Sequence, residues 1–269
     1  MLNDFFKETA LTKIGEKNVL ICGYKGYIGN ALLQGLSVTP VNSAPNEKVD
    51  VFIHLGALVN SSQDDFEKNV QTDAAVIRFC VDRKIRLLYA SSNNVYPLKR
   101  NCDEEKTQLF ASDYYGLSKI VGENLCRLTP DLNYVALRFG DVFGKKQRHG
   151  NLFHAIQEKI SARQPLQLYG SGQKIRNYIY IKELINVLYF FIREDKASRQ
   201  CVNICFDTPY SIAEIISLLS RETQLTIEKK DFNDKTDIRT MKNNRLIETG
   251  YSFLYTMETA LKDYVDEIG

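Results

Sequence analysis

The stretch Asn18 to Leu33, NVLICGYKGYIGNALL, constrains the fold of this chain more than any other part of it. A short apolar run reads straight into Gly23, Gly26 and Gly29, and a helix-like pattern follows at once. Glycines between a strand and a helix permit a tight turn and let backbone approach a pyrophosphate, whose charge meets the free N–H groups of the helix N-terminus. The spacing is GxxGxxG, and it points to a bound dinucleotide rather than to a purely structural βα turn. Sites for NAD commonly carry an acid about 20 residues further on, at the end of the second strand. Here that region reads LSVTPVNSAPNEKVDV; the strand is expected to end near Val41, Asn42 and Ser43, with no acid, and Glu47 falls in a loop. Lys25, inside the glycine turn, has an ammonium that suits a 2′-phosphate. The cofactor is therefore NADP or NAD, with the lean toward NADP.

Downstream, strand-like and helix-like segments alternate, as βαβ units over a parallel sheet require. VDVFIHLGA and IRLLYASS read as strands, and NYVALRFGDVFG as a strand running into a loop. DDFEKNVQTDAAVIRFCVDRK carries Phe66, Val70, Ala74, Ile77 and Val81 at helical spacing, and SDYYGLSKIVGENLCRL is a second amphipathic helix. Beyond Gly144 the pattern loosens into shorter pieces. The expected fold is α/β: a doubly wound parallel sheet over residues 17–142 plus 201–206, with a small discontinuous α+β cap from 143–200 and 207–269. Residues 1–16 form an N-terminal extension, whose Leu2, Phe5, Phe6, Leu11 and Ile14 supply an apolar face for the sheet or for a partner.

Composition narrows the function classes. Lys plus Arg (35) nearly balance Asp plus Glu (33), which gives no basic surface for nucleic acid or an anionic membrane. No apolar run approaches the roughly 18 residues of a membrane helix, and the acidic, broken start is unlike a secretory signal; a cytoplasmic location is expected. Of the six cysteines, Cys22, Cys80, Cys126, Cys201 and Cys205 sit in apolar stretches and Cys102 in a polar loop, with no CxxC pair. They read as small buried hydrophobes in a reducing compartment. His54, His149 and His154 have no metal-ligand spacing, and no metal is expected.

YYGLSK places Tyr115 and Lys119 four apart on one helix face. An ammonium beside a phenol favours the phenolate, and a tyrosine so tuned can take a proton from a sugar hydroxyl or give one to a carbonyl as a hydride moves. Ser92, ending the strand LLYASS, is placed to hydrogen-bond the same oxygen. YxxxK occurs a second time, at Tyr178 and Lys182, across a strand-to-helix boundary with no serine-ended strand ahead of it; that pair reads as coincidence.

With these residues in view, the chain resembles the extended short-chain dehydrogenase/reductase family, the NAD(P)-dependent nucleotide-sugar epimerases, dehydratases and reductases, as an abbreviated member. CGYKGYIG is similar to the family's glycine motif, HLGA to its HxAA, ASSNNVYP to SSxxVYG, YGLSK to YxxSK and LRFGDVFG to LRxxNVYG; LQLYGSGQKIRNYIYIKEL and RLIETGY match later elements. The resemblance implies a Rossmann-like sheet and a catalytic Ser92, Tyr115 and Lys119. It implies cofactor contacts from Gly23, Lys25, Gly26, Tyr27, Ile28 and Gly29, from Leu55, Gly56 and Ala57, and from Tyr115 and Lys119. Asn93, Asn94 and Arg176 would touch substrate, Arg176 gripping a diphosphate bidentately. A homodimer through the helices at 65–82 and 113–128 is implied, and carbohydrate biosynthesis is the usual destination.

Departures from the family pattern carry information. About one βα segment is missing between the glycine-loop helix and VDVFIHLGA, on the adenosine side of the cofactor. Asn93 and Asn94 stand where dehydratases carry Asp–Glu, and amides cannot transfer protons, which disfavours dehydration. Pro97 replaces the usual glycine after Val95–Tyr96, and about 16 residues precede the first strand expected. The activity expected is that of a nucleotide-sugar 4-epimerase or 4-ketosugar reductase acting on a nucleotide-diphosphate sugar. The alternatives are a dehydrogenase of a free sugar or uronic acid, and a non-catalytic NADP-binding sensor or scaffold.

Overall fold

Strands that are apolar on both faces must be covered on both, and the alternation of strand and helix provides the cover. The computed structural model describes residues 9–37, 48–147, 151–223, 226–231 and 237–269. Its main sheet contains β1 (Thr9–Ile14), β2 (Lys17–Cys22), β3 (Val51–His54), β4 (Arg86–Ser92), β5 (Tyr134–Phe139) and β10 (Gln200–Ile204), in spatial order β1-β2-β3-β4-β5-β10. From β2 onward the strands run parallel; β1 alone pairs antiparallel, with β2.

Successive side chains of each strand leave opposite faces, and β2 shows the result. Val19 and Ile21 pack with Leu32 of α1 (Tyr27–Gly35) and Leu184 of α5 (Ile181–Arg193). Leu20 and Cys22 pack with Val76 and Phe79 of α2 (Gln63–Arg83) and Cys126 of α3 (Tyr114–Leu128). Full burial of one such aliphatic side chain stabilises by about 1.5–3 kcal/mol, so a one-residue slip of β2 would forfeit several at once. Side chains mark the helix starts: Ser62 accepts from Asp65 N at 3.1 Å to cap α2, and Asp113 accepts from Gly116 N at 2.6 Å to cap α3. Lys84, left-handed at φ 55°, ends α2.

Residues 9–14 belong to the sheet rather than lying outside it as part of an extension. Gly15, at φ 58°, and Glu16 form a two-residue turn between Ile14 and Lys17, and Leu11 and Ile14 bury on opposite faces. This hairpin occupies the edge of the sheet beside β2. Leu2, Phe5 and Phe6 lie outside the described residues, as do Val41, Asn42, Ser43, Glu47 and His149.

NYVALRFGDVFG, expected as a strand running into a loop, forms β5 and, beyond Gly140, a second short strand β6 (Asp141–Phe143). A Cβ there would lie 2.7 Å from the Asn177 carbonyl oxygen, so glycine lets the two backbones meet. β6 pairs with β9 (Tyr178–Tyr180), β7 (Leu166–Tyr169) with β12 (Ile227–Lys230), and β8 (Ile175–Arg176) lies between β11 (Tyr210–Ser211) and β13 (Ile238–Arg239). With α4 (Leu152–Ala162), α6 (Ile212–Glu222), α7 (Asn244–Glu248) and α8 (Met257–Ile268) these build the cap. One apolar cluster continues from the sheet through Phe153, Ile215 and Tyr264. Cys102, read as lying in a polar loop, is buried: its strand-like bridge to Met241 draws it into a small cluster with Val95, Tyr96 and Cys205. All six thiols are free.

Candidate active site

The carboxyl ends of β2, β3 and β4 meet the amino ends of α1 and α3 at one rim of the sheet. In open α/β sheets that rim is where ligands bind. At the end of β2, Gly23 takes φ 79°, and a Cβ on it would lie 2.6 Å from Gly56 N, so the two loops are in backbone contact. Leu55 N donates to the Cys22 carbonyl at 3.0 Å and fixes HLGA against the glycine loop. A Cβ on Gly29 would stand 2.4 Å from Gly23 O, which shows why the third glycine is needed. Gly26 heads α1 with no side-chain cap, leaving first-turn N–H groups available to an anion. This cradle fits a dinucleotide pyrophosphate, and Tyr27, Ile28 and Ala57 stand around it with partial exposure. Lys25 lies over the Tyr24 ring, its Nζ 5.5 Å from the centroid. The adenosine side differs from a six-stranded parallel Rossmann sheet, because antiparallel β1 holds the position beside β2.

Ser92 is the last residue of β4 and is half-buried, while the preceding Ser91 points inward to donate to Glu123 Oε1 at 2.6 Å. One 3₁₀ turn (Asn93–Val95) follows. The start of α3 presses against it: a Cβ on Gly116 would lie 2.6 Å from the Asn94 carbonyl oxygen. That glycine lets the helix carrying Tyr115 close on the turn that follows Ser92, and Ser61 Oγ accepts from Tyr115 N at 3.1 Å. Lys119 follows one turn later and is buried, with Nζ 4.9 Å from the Tyr89 ring centroid and 5.9 Å from that of Tyr115. The structure therefore packs the helix that carries Tyr115 and Lys119 against the turn that follows Ser92. Tyr178 and Lys182 are not so arranged. Tyr178 is buried in β9, and Lys182 turns to Asp263 and Glu267 at 2.6 and 3.3 Å.

Two buried networks hold these elements. Glu123 of α3 accepts from Arg138 Nε and Nη2 at 2.8 and 2.7 Å, and Arg138 Nη1 donates to Tyr96 OH at 2.6 Å. On the other side His54 Nε2 lies 2.8 Å from Asp73 Oδ1, and Tyr89 donates to Asp73 Oδ2 at 2.7 Å. Burial works against the His54 imidazolium, yet Cys22 and the Asp73 carboxylate outweigh it and lift its pKa to about 9. Neither Glu123 nor Asp73 was singled out from the sequence.

On the cap side, Arg176 is buried, donating to Asp237 Oδ2 at 2.6 Å and to the Ile175 and Asp237 carbonyls at 2.8 and 3.0 Å. Its register partner on β13 is Arg239, which sequence reasoning missed. Arg239 Nη1 donates to Asn94 Oδ1 at 2.6 Å, and its Nε is buried with no hydrogen-bond partner among the described residues. Burial and the Arg176 charge pull Arg239 below the ordinary arginine value, against the Asp237, Asp141 and Asp113 carboxylates. Asn93 Nδ2 donates to Asp141 Oδ1 at 2.8 Å. No group of three or more His, Cys, Asp or Glu that could hold a metal occurs among the described residues.

Comparison with known proteins accords with this geometry. The sequence pattern of the NAD dependent epimerase/dehydratase family matches residues 39–205. A Bacillus subtilis protein named as an uncharacterized UDP-glucose epimerase, YtcB, is 29% identical over 184 residues, which cover 64% of this chain and 58% of that protein. The chain thus spans less than two thirds of that relative's length. Among solved structures, RMD from Pseudomonas aeruginosa complexed with NADPH superposes with a TM-score of 0.78 at 18% identity, covering 92% of this chain and 97% of the other. MoeE5 in complex with UDP-glucose and NAD gives 0.78 at 20% identity with the same coverage. At these identities the superpositions establish the fold: an α/β Rossmann-type sheet.

Proposed function

Because the chain belongs to the NAD dependent epimerase/dehydratase family, we propose that it is an NAD(P)-dependent 4-epimerase or 4-ketosugar reductase of a nucleotide-linked sugar. The observation that carries this reading is the packing of the helix bearing Tyr115 and Lys119 against the turn after Ser92, at the same rim of the sheet as a glycine cradle suited to a pyrophosphate. A nicotinamide cofactor held by the glycine cradle would supply hydride transfer at the sugar carbon. Tyr115 would hold or release the hydroxyl proton, Lys119 would keep positive charge beside the phenol, and Ser92 would hydrogen-bond the reacting oxygen. Asn93 and Asn94 supply no acid or base, which disfavours dehydration.

The substrate's diphosphate is assigned to Arg176 and Arg239. The two residues are register partners on paired strands, near enough for the Arg176 charge to act on Arg239, and the depressed Arg239 gains from an anion what its neighbour takes away. NADPH is favoured over NADH through Lys25; P. aeruginosa RMD was solved with NADPH and MoeE5 with NAD. A homodimer through α2 and α3 is supported by exposed Tyr114, Leu117 and Leu128 on α3 and is checked by light scattering. No helix among the described residues is long and apolar enough to cross a membrane, and a cytoplasmic place in carbohydrate biosynthesis is part of the proposal.

The deciding experiment is to denature the purified protein and identify any nicotinamide nucleotide released, then to assay nucleotide sugars with the wild type and Tyr115→Phe. Stoichiometric NAD+ marks an epimerase; an empty protein that binds NADPH marks a reductase. Tyr115→Phe should keep cofactor binding and lose turnover. Activity unchanged in that variant, or no binding of either nucleotide by the wild type, would overturn the proposal.

A further inference from the structure

Ser92 takes part in a short chain of polar contacts whose direction is set from its far end. Ser92 Oγ donates to Asn93 Oδ1 at 3.4 Å and accepts from Asn94 N at 3.1 Å, while Asn93 Nδ2 donates to Asp141 Oδ1 at 2.8 Å. Asn93 is nearly fully buried, at 5% exposure, so neither end of its amide has free access to solvent. The amide alone could be turned either way. Asp141 removes that freedom, because an ionised carboxylate only accepts hydrogen bonds and must therefore face the Asn93 NH2. The Asn93 carbonyl is then left for Ser92, and the Ser92 proton goes to it. With Asn94 N–H on one lone pair, Ser92 Oγ keeps one lone pair for whatever enters the site.

We infer that Asp141 is a positioning and specificity residue: acting through Asn93, it presents Ser92 to the reacting sugar carbon as a hydrogen-bond acceptor. The inference rests on the nucleotide-sugar reading above. A sugar hydroxyl can donate to such an oxygen and a ketone cannot, so the site binds the hydroxyl form in preference to the keto form. With the Asn93 amide reversed, its NH2 would donate to Ser92 and release the serine proton to a ketone, and the preference would invert. The chain also accounts for an amide at position 93. A carboxylate there would face Asp141 with no proton between them, and like charges at that separation disfavour ionisation of both.

The test compares the wild type with Asp141→Ala and Asp141→Asn, using UDP-6-deoxyglucose and UDP-4-keto-6-deoxyglucose, which differ only at carbon 4. Both carry the same diphosphate, so any change in Arg239 electrostatics cancels in the ratio of their affinities. The wild type should favour the hydroxyl sugar. Asp141→Ala should reduce that ratio by about fivefold, the scale of one neutral hydrogen bond, with the cofactor Kd unchanged. Asp141→Asn, whose amide can turn either its carbonyl or its NH2 to Asn93, should leave the ratio between those of the wild type and Asp141→Ala. An unchanged ratio in Asp141→Ala overturns the inference, as does an equal loss for both sugars, which a merely structural role would give. If the wild type binds neither sugar, a UDP sugar as the ligand is what fails. The polarity of the chain is then decided by NMR of the Asn93 side-chain amide. Exchange protection lost in Asp141→Ala supports it, and protection equal to wild type refutes it.

Discussion

Glu123→Gln tests the account of what holds α3 in place. Glu123 and Arg138 are 4% and 3% exposed, and the carboxylate takes both guanidinium bonds as well as the Ser91 hydroxyl. Glutamine keeps the shape and one acceptor but turns an NH2 toward a guanidinium that cannot lose its charge. Removing one member of a buried pair costs about 3–5 kcal/mol, because the other charge stays buried and uncompensated. For a chain of this size that corresponds to a fall in Tm on the order of 6–20 °C. Urea denaturation of the wild type, Glu123→Gln, Arg138→Met and the double variant Glu123→Leu/Arg138→Met reads it directly. The double variant should lose less than either single one, since replacing a whole buried pair by apolar groups is often near neutral. Lys48→Ala, removing an exposed partner of Asp50 at 3.5 Å, is the control and should change stability by less than about 1 kcal/mol. Glu123→Gln falling within the range of that control would refute the reasoning.

Other consequences are open to direct measurement. The His54 pKa, raised from 6.5 to about 9, means that folding is linked to proton uptake. Its contribution, on the order of 3 kcal/mol, is present in full below pH 6.5 and is lost as pH rises through 9; melting curves from pH 6 to 10 should show the fall, and Asp73→Asn should flatten it. Gly29→Ala puts a methyl 2.4 Å from Gly23 O, so the glycine turn must open, and NAD(P) affinity measured by calorimetry should drop at least tenfold while the fold survives. Arg239→Ala should raise the KM for a nucleotide sugar about tenfold or more, with the cofactor Kd unchanged; an unaltered KM would remove Arg239 from the substrate site.

What the sequence made legible was local. The strand ends at Ser92 and Gly23, the helix carrying Tyr115 and Lys119, and the glycine spacing each depend on neighbours a few residues away, and the structure places them as the pattern suggests. Arg239 was invisible because nothing around it in TDIRTMKN marks a site; it reaches Asn94 only through the pairing of β13 with β8, across more than sixty residues. The same holds for Arg138, Glu123 and Asp73, charged residues in apolar surroundings whose partners lie on other elements. β1 is a different case. TALTKIGEKNVL holds two strand-like runs separated by two residues beginning with glycine, a hairpin signal, but burial of Thr9, Ala10, Leu11 and Thr12 together hides the alternation that usually reveals an edge strand.

The β1–β2 hairpin also sets the order in which the molecule can assemble. A parallel strand pair must await a crossover of many residues, and β5 joins β10 across residues 135 and 200. β1 meets β2 across a two-residue turn, and hairpins close in about 1–10 μs, well ahead of long-range parallel pairing. The hairpin is thus a template available once Cys22 has left the ribosome, offering β2 with one edge already satisfied to the parallel strands that come later. Pulsed hydrogen exchange during refolding should find the β1 and β2 amides protected before those of β10; simultaneous protection would show that the sheet waits for its last strand.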